Sequence, residues 1–144
     1  MVVPAHLLAP IKKIQDTILI CPPVISQYAA WGALEAGRKF WGPKVEQLAS
    51  IRQMVRTQLD ELGSKSFIAP AQGAFYFLVK LDTQAAPMTV IEHLITQHKV
   101  AAMPGTAFGL DDGCHLRTAY AALPKDQLQE GITRFITGVK SYLA

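Results

Sequence analysis

The sequence is poor in charged residues and lacks any long apolar run. Only 17% of its 144 residues are charged, the net charge is +3, and no group of basic residues is denser than Lys12-Lys13. Because nucleic-acid surfaces need clustered basic residues, nucleic acid is not expected as a partner. No run approaches the ~20 apolar residues that cross a bilayer, so no membrane-spanning segment is predicted.

The sequence also has few residues that bind metals. Cys21 and Cys114 form no CxxC pair and have no histidine at ligand spacing, so no zinc site is predicted. His93 and His98 are five residues apart, a poor spacing for two ligands on one helix face. The first residues have neither the basic region nor the apolar core of a secretion signal, so a cytoplasmic protein with reduced thiols is expected.

The spacing of apolar residues predicts a helical first half. A first helix is predicted from His6 to about Ile18, and it is interrupted by Cys21-Pro22-Pro23. A second helix is predicted from Val24 to about Ala36. Gly42-Pro43 is predicted to open a third helix, which ends at Gly63. The apolar stripe of this third helix is Val45, Leu48, Val55, Leu59 and Leu62.

The second half predicts two strands, a helix, two more strands and a final helix. The strands are expected at 66–69, 74–81, 100–103 and 116–121. Thr89 and Glu92 form a capping box that predicts the start of the helix between the strand pairs. The final helix is predicted to begin near Pro124. Its core stripe is Leu128, Ile132, Phe135, Ile136, Val139 and Leu143. The predicted fold class is α+β with a long helical lead-in.

Arg117 is the strongest candidate for a binding residue. It lies in a segment that alternates like a strand, and it shares one face with Ala119 and Ala121. An arginine among small neighbours has room to grip a carboxylate with two parallel hydrogen bonds. The alternative is an ordinary surface arginine or one half of a salt bridge.

Three further segments bear on binding. In the loop 104–113, glycines permit close approach of the backbone and Phe108 is a candidate wall of an apolar pocket; a flexible connection is the alternative. The segment 73–77 is predicted to be a buried strand that follows a turn. Lys65 is predicted to be an exposed turn residue.

Six segments resemble motifs of the class I/II aminotransferases, in the same order. They are Met1–Pro4, the helix that begins Ile25-Ser26-Gln27, Pro70–Tyr76, the P-G-x-x-F-G run within 100–109, Leu116-Arg117 with Tyr120-Ala121, and Glu130-Gly131-Ile132 with Arg134. The chain is therefore similar to the C-terminal portion of a fold-type I, pyridoxal-phosphate-dependent enzyme of an α/β parent fold.

The resemblance implies roles for three parts of the chain. Residues 1–37 would end the large cofactor-binding domain, 38–63 would form a long connector helix, and 64–144 would form the C-terminal small α+β domain. Arg117 would bind the substrate α-carboxylate, with Phe108 at the edge of the pocket. The complete enzyme would be a cytoplasmic homodimer that moves an amino group between an amino acid and a 2-oxo acid.

The resemblance also implies that the residues that bind the cofactor belong to parts of the family fold outside this chain. The lysine that forms a Schiff base with pyridoxal 5'-phosphate lies upstream of the segment that Met1 begins, as do the other cofactor contacts. No catalytic or cofactor-binding residue is therefore predicted here, and the chain alone is expected to be inactive. The alternatives are a catalytically inactive remnant or interaction module, or a lyase or decarboxylase that uses the same cofactor.

Overall fold

A computed structural model describes residues 2–144, so Met1 and its place in the first motif lie outside the described residues. By compactness the chain divides into two units, one ending at Lys44 and one from Val45 to Ala144. Within the described residues, no helix combines the length and the apolar character needed to cross a membrane.

The first unit is helical, as the sequence predicts. A 3-10 turn at Ala5–Leu7 leads into helix α1, Leu8–Ile18, and helix α2 runs from Val24 to Leu59. Gly37 breaks α2 with φ 55° and ψ −152°, which confirms the predicted helix end near Ala36. The prediction that Gly42-Pro43 opens the next helix is wrong, because the helix resumes directly after Gly37. Glycine adopts a positive φ without steric cost, so the break falls there and Pro43 lies inside the helix.

In the second unit, the end of α2 leads into the sheet. α2 ends at Leu59, four residues before the predicted stop at Gly63, and the chain continues as a 3-10 turn over Asp60–Lys65. Lys65 is exposed, as predicted, and its Nζ donates a hydrogen bond to the carbonyl oxygen of Leu143 at 2.8 Å. The predicted stripe is buried at its C-terminal end, where Val55, Leu59 and Leu62 enter the core, whereas Val45 is exposed.

The sheet has four antiparallel strands in the order β1-β2-β4-β3. The strands are β1 at Ser66–Ile68, β2 at Tyr76–Leu81, β3 at Met103–Pro104 and β4 at Cys114–Ala119. Every strand differs from the prediction in at least one boundary, and β4, predicted at 116–121, begins and ends two residues earlier. Two of the differences have local reasons. Ala74 has a left-handed φ of 64°, so β2 begins after it. Val100 donates its amide hydrogen to the carbonyl of Leu94, so it closes the preceding helix instead of starting β3.

Two helices cover one face of this sheet. Helix α3 spans Pro87–His98 and helix α4 spans Lys125–Tyr142. The predicted capping box at Thr89 is wrong, because α3 begins with Pro87 in its first turn and Ala86 is its N-cap. The α4 stripe is confirmed from Leu128 to Val139, whereas Leu143 follows the end of the helix and is half-buried. Its residues join the core with members of the sheet and of α3, including Phe77, Val79, Leu116, Val90 and Leu94.

Candidate functional site

The sheet of the second unit has one buried face and one open face. Along β2, Phe77, Val79 and Leu81 are buried, while Tyr76 is exposed and Leu78 and Lys80 are half-buried. Because successive side chains of a strand point to opposite faces, these two sets lie on opposite sides of the sheet. The open face is where side chains remain available to a ligand.

Arg117 lies on this open face, in the strand next to β2. Its strand neighbours Leu116 and Thr118 are buried, so the predicted alternation is confirmed. Arg117 is half-buried and lies opposite Leu78 on one side and Met103 on the other. It forms no ion pair with any carboxylate of residues 2–144. This differs from Arg134, which pairs with Glu130 on α4.

Phe108 contacts Arg117 directly. It ends the 3-10 turn Gly105–Phe108, and its ring centroid lies 4.5 Å from the guanidinium carbon of Arg117. The turn approaches β4 closely because Gly105 is buried and has no side chain. A Cβ built at Gly105 would lie 2.5 Å from the Cβ of His115. The structure thus brings together the two residues that the sequence singled out.

Tyr76 is a third member of the site, and sequence reasoning missed it. Its ring centroid lies 5.1 Å from the guanidinium carbon of Arg117. The prediction that 73–77 is buried is wrong for Phe75 and Tyr76, which are exposed, and right for Phe77. The alternation of Phe77, Val79 and Leu81 was the available signal, because it assigns Tyr76 to the opposite face. The neighbours of Arg117 are therefore aromatic as well as small.

Tyr120 fixes the position of Tyr76 from the core side. Its hydroxyl donates a hydrogen bond to the carbonyl of Ala74 at 2.8 Å, and its amide donates to the carbonyl of Phe75 at 2.9 Å. These two bonds hold the chain just before β2. Burial raises the pKa of the Tyr120 hydroxyl, an effect that the charge of Arg52 opposes.

The other candidates lie away from Arg117. His93 and His98 both hydrogen-bond the hydroxyl of Ser141, at 3.1 and 3.2 Å. That hydroxyl donates its hydrogen to the carbonyl of Gly138. The two imidazoles and this hydroxyl form a structural link between α3 and α4. Nowhere in residues 2–144 do three or more His, Cys, Asp or Glu side chains form a group that could hold a metal ion.

A groove of about 780 Å³ opens at the β1 side of the second unit and does not include Arg117. Lys80 lines it and lies 3.5 Å from the carboxylate of Asp112. The charge of Lys80 lowers the pKa of that carboxyl. Its lining residues include Phe67 and no arginine, and its one lysine, Lys80, is the residue paired with Asp112.

The lysines of the chain do not fit the cofactor that the resemblance implies. A lysine that attacks a cofactor aldehyde is activated by an enclosed, desolvated site. Lys80 is half-buried and paired with Asp112, and the other eight lysines are exposed. No step through pyridoxal phosphate is therefore assigned to residues of this chain.

Comparison with known proteins identifies the family. Residues 1–135 match the family model "Aminotransferase class I and II". The aromatic aminotransferase ISS1 of Arabidopsis thaliana is 31% identical over 132 residues, which cover 91% of this chain and 33% of that protein. The chain thus spans about a third of the length of the curated relatives it matches, in their C-terminal portion.

Solved structures agree with this similarity. The crystal structure of an aromatic aminotransferase from Pyrococcus horikoshii OT3 has a TM-score of 0.77 and 27% identity, covering 98% of this chain and 38% of that chain. LysN, an α-aminoadipate aminotransferase from Thermus thermophilus complexed with N-(5'-phosphopyridoxyl)-L-leucine, has a TM-score of 0.80 at 18% identity, with 99% and 37% coverage. This second likeness supports the fold alone. The chain belongs to the class I and II aminotransferase family, whose C-terminal portion it represents.

Proposed function

We propose that this chain supplies the substrate-carboxylate site of an aminotransferase that moves an amino group between an amino acid and a 2-oxo acid. The observation that carries the proposal is the state of Arg117. Its guanidinium lies on an open sheet face, beside two aromatic rings and without an ion-pair partner among the described residues. A planar guanidinium recognises a carboxylate by two parallel hydrogen bonds.

The role of Arg117 is to bind and orient. Fixing the carboxylate fixes the α-carbon beside it, and correct placement of reacting groups is a large part of enzymatic rate enhancement. In the complete enzyme, pyridoxal 5'-phosphate supplies an electron sink for chemistry at that α-carbon. The part of the family fold that this chain does not span would hold the cofactor, and the complete enzyme would be a homodimer.

Binding of pyruvate to the isotope-labelled chain tests the proposal. Pyruvate is the probe because it is a minimal 2-oxo acid, and pyruvamide, which lacks the carboxylate, is the matched probe. We expect NMR signals around Arg117 to shift with pyruvate and not with pyruvamide. Arg117→Gln should weaken binding about 10-fold or more, since hydrogen bonds to charged groups contribute ~1.5–3 kcal/mol.

Two control variants separate recognition from net charge. Arg117→Lys keeps the charge and loses the planar fork, so its affinity should lie between the wild type and Arg117→Gln. Arg134→Gln removes a surface arginine that is already paired with Glu130 and should bind pyruvate like the wild type. The proposal is wrong if Arg117→Gln and Arg134→Gln bind pyruvate equally well.

A second candidate function is an interaction module, and the first unit favours it. Helix α1 contains no buried residue, and Ile14 and Ile18 are 57% and 76% exposed. Apolar surface of this kind marks protein contacts. We expect the chain to self-associate in light scattering, and the Ile14→Glu/Ile18→Glu variant to associate less. A monodisperse wild-type monomer would contradict this second candidate.

A further inference from the structure

The position of Tyr76 and Phe108 around Arg117 follows from the order of the strands. β4, which carries Arg117, lies between β2 and β3. Tyr76 is the first residue of β2, opposite Ala119, and is therefore a diagonal neighbour of Arg117. Phe108 comes from the turn that follows β3. The two rings thus reach the guanidinium from opposite sides of β4, one from β2 and one from the turn after β3.

The nitrogens of Arg117 differ in access. Nε is buried and has no hydrogen-bond partner among the described residues, as is also the case for Nε of Arg52. The two terminal nitrogens are not among the buried atoms without partners, and they form no hydrogen bond within residues 2–144. A ligand therefore meets the end of the guanidinium and not its Nε side.

The structure assigns Tyr76 and Phe108 as positioning residues: they form an aromatic slot that holds Arg117 so that it binds a carboxylate end-on, through its two terminal nitrogens. This inference rests on the proposed carboxylate-binding function and adds the two residues that position its arginine. Aromatic faces attract a guanidinium and stack on its plane. The rings also occupy none of its donors, so all terminal N–H groups stay available to the ligand.

The Tyr76 hydroxyl has no part in the slot. It forms no hydrogen bond with any described residue, whereas the ring lies 5.1 Å from the guanidinium carbon. The slot therefore needs an aromatic face at position 76 and not a phenol. A comparison of two variants distinguishes a positioning role of the ring from acid–base chemistry by the hydroxyl. Tyr76→Phe should keep the pyruvate affinity that Tyr76→Leu loses.

The first arm of the test needs no ligand. In the full-length labelled chain, the Nε–H signal of Arg117 should be shifted by the ring currents and should show restricted motion. Tyr76→Leu and Phe108→Leu should each reduce both effects, and Tyr76→Phe should retain them. Tyr76 is 37% and Phe108 is 49% exposed, so these variants remove little core packing. Phe67→Leu is the matched control, because Phe67 is an exposed aromatic residue on β1.

The second arm measures pyruvate affinity. Each leucine variant should bind pyruvate about three-fold more weakly, from the size of exposed cation–π contacts. Tyr76→Phe and Phe67→Leu should match the wild type. Pyruvate should perturb the terminal N–H groups of Arg117 more than Nε–H. If both leucine variants keep the Nε–H signal and the affinity of the wild type, the slot is wrong. If the wild type does not bind pyruvate, the proposed function is wrong. The slot then has no carboxylate to position, and that part of the inference is wrong as well.

Discussion

Replacing Gly105 by alanine tests whether the packing of one loop controls the site. A Cβ at this position would lie 2.5 Å from the Cβ of His115, 3.3 Å from the carbonyl oxygen of His115 and 3.3 Å from the Cβ of Leu110. Two of these atoms belong to His115, the second residue of β4, and a Cβ and a carbonyl oxygen held in a paired strand cannot swing away like the end of a flexible side chain. The loop must therefore move away from the sheet.

The expected cost follows from overpacking. An added methyl that forces backbone shifts in a packed region costs ~1–3 kcal/mol of unfolding free energy. Gly131→Ala is the matched control, because Gly131 lies in α4 with no atom within 4 Å of a built Cβ. In an open helical position, alanine is favoured over glycine by ~0.5–1 kcal/mol. The two Gly→Ala changes should therefore have opposite signs in urea denaturation of the full-length chain.

The same substitution should also weaken carboxylate binding. Phe108 is three residues beyond Gly105, so displacement of the loop moves its ring away from Arg117 without changing either residue. We expect Gly105→Ala to bind pyruvate more weakly than the wild type, and Gly131→Ala to bind it equally well. If Gly105→Ala is as stable as Gly131→Ala and keeps the wild-type affinity, the close contact with His115 does not control the site.

Three further predictions concern the core of the second unit and the thiols. Gly138→Ala places a Cβ 2.5 Å from Cδ2 of Leu94, a side chain that is fully buried in the core and has little room to move, so the change should lower the unfolding free energy by ~1–3 kcal/mol. An unchanged urea midpoint would contradict this contact. A thiol reagent should modify the exposed Cys21 in the native protein, and should modify the buried Cys114 only after unfolding. Rapid labelling of Cys114 in the native protein, detected by mass spectrometry, would refute its burial. Burial raises the pKa of Cys114 and of Tyr120, so the folded state keeps protons that the unfolded state loses, and stability should fall as the pH rises from ~8.5 upwards. Tyr120→Phe should reduce the loss of stability above pH ~10. If the variant and the wild type lose stability identically with pH, the tyrosine is not the source of that loss.

The sequence alone predicts the elements that have a strong apolar period. The α4 stripe is buried as expected from Leu128 to Val139, and the alternation around Arg117 assigns it to the open face of β4. These predictions succeed because burial and strand geometry impose periods of 3.6 and 2 that a sequence displays directly.

Other features depend on contacts that no local period displays. β3 is only two residues long, because the chain around Val100 is used to close α3. Tyr76 faces Arg117 only because β2 and β4 pair in a register that sets Tyr76 opposite Ala119. The proximity of Phe108 depends on the close approach of Gly105 to His115. The last two contacts join residues that lie ten or more positions apart in the chain, and a local apolar period carries no information on such pairing.

The way in which the chain holds its arginines supports a binding role for Arg117. Arg56 pairs with Asp60, and Arg134 pairs with Glu130, so both guanidinium groups are satisfied by carboxylates one helical turn away. A carboxylate in the same position beside Arg117 would occupy the donors that a substrate needs. Aromatic rings restrain the guanidinium plane and leave its terminal N–H groups free, at the cost of a buried Nε without a partner. Among the described residues, Arg52 also lacks an ion pair and has a buried Nε without a partner, but a single ring, that of Phe77 at 5.8 Å, lies beside it, whereas two rings flank the guanidinium of Arg117.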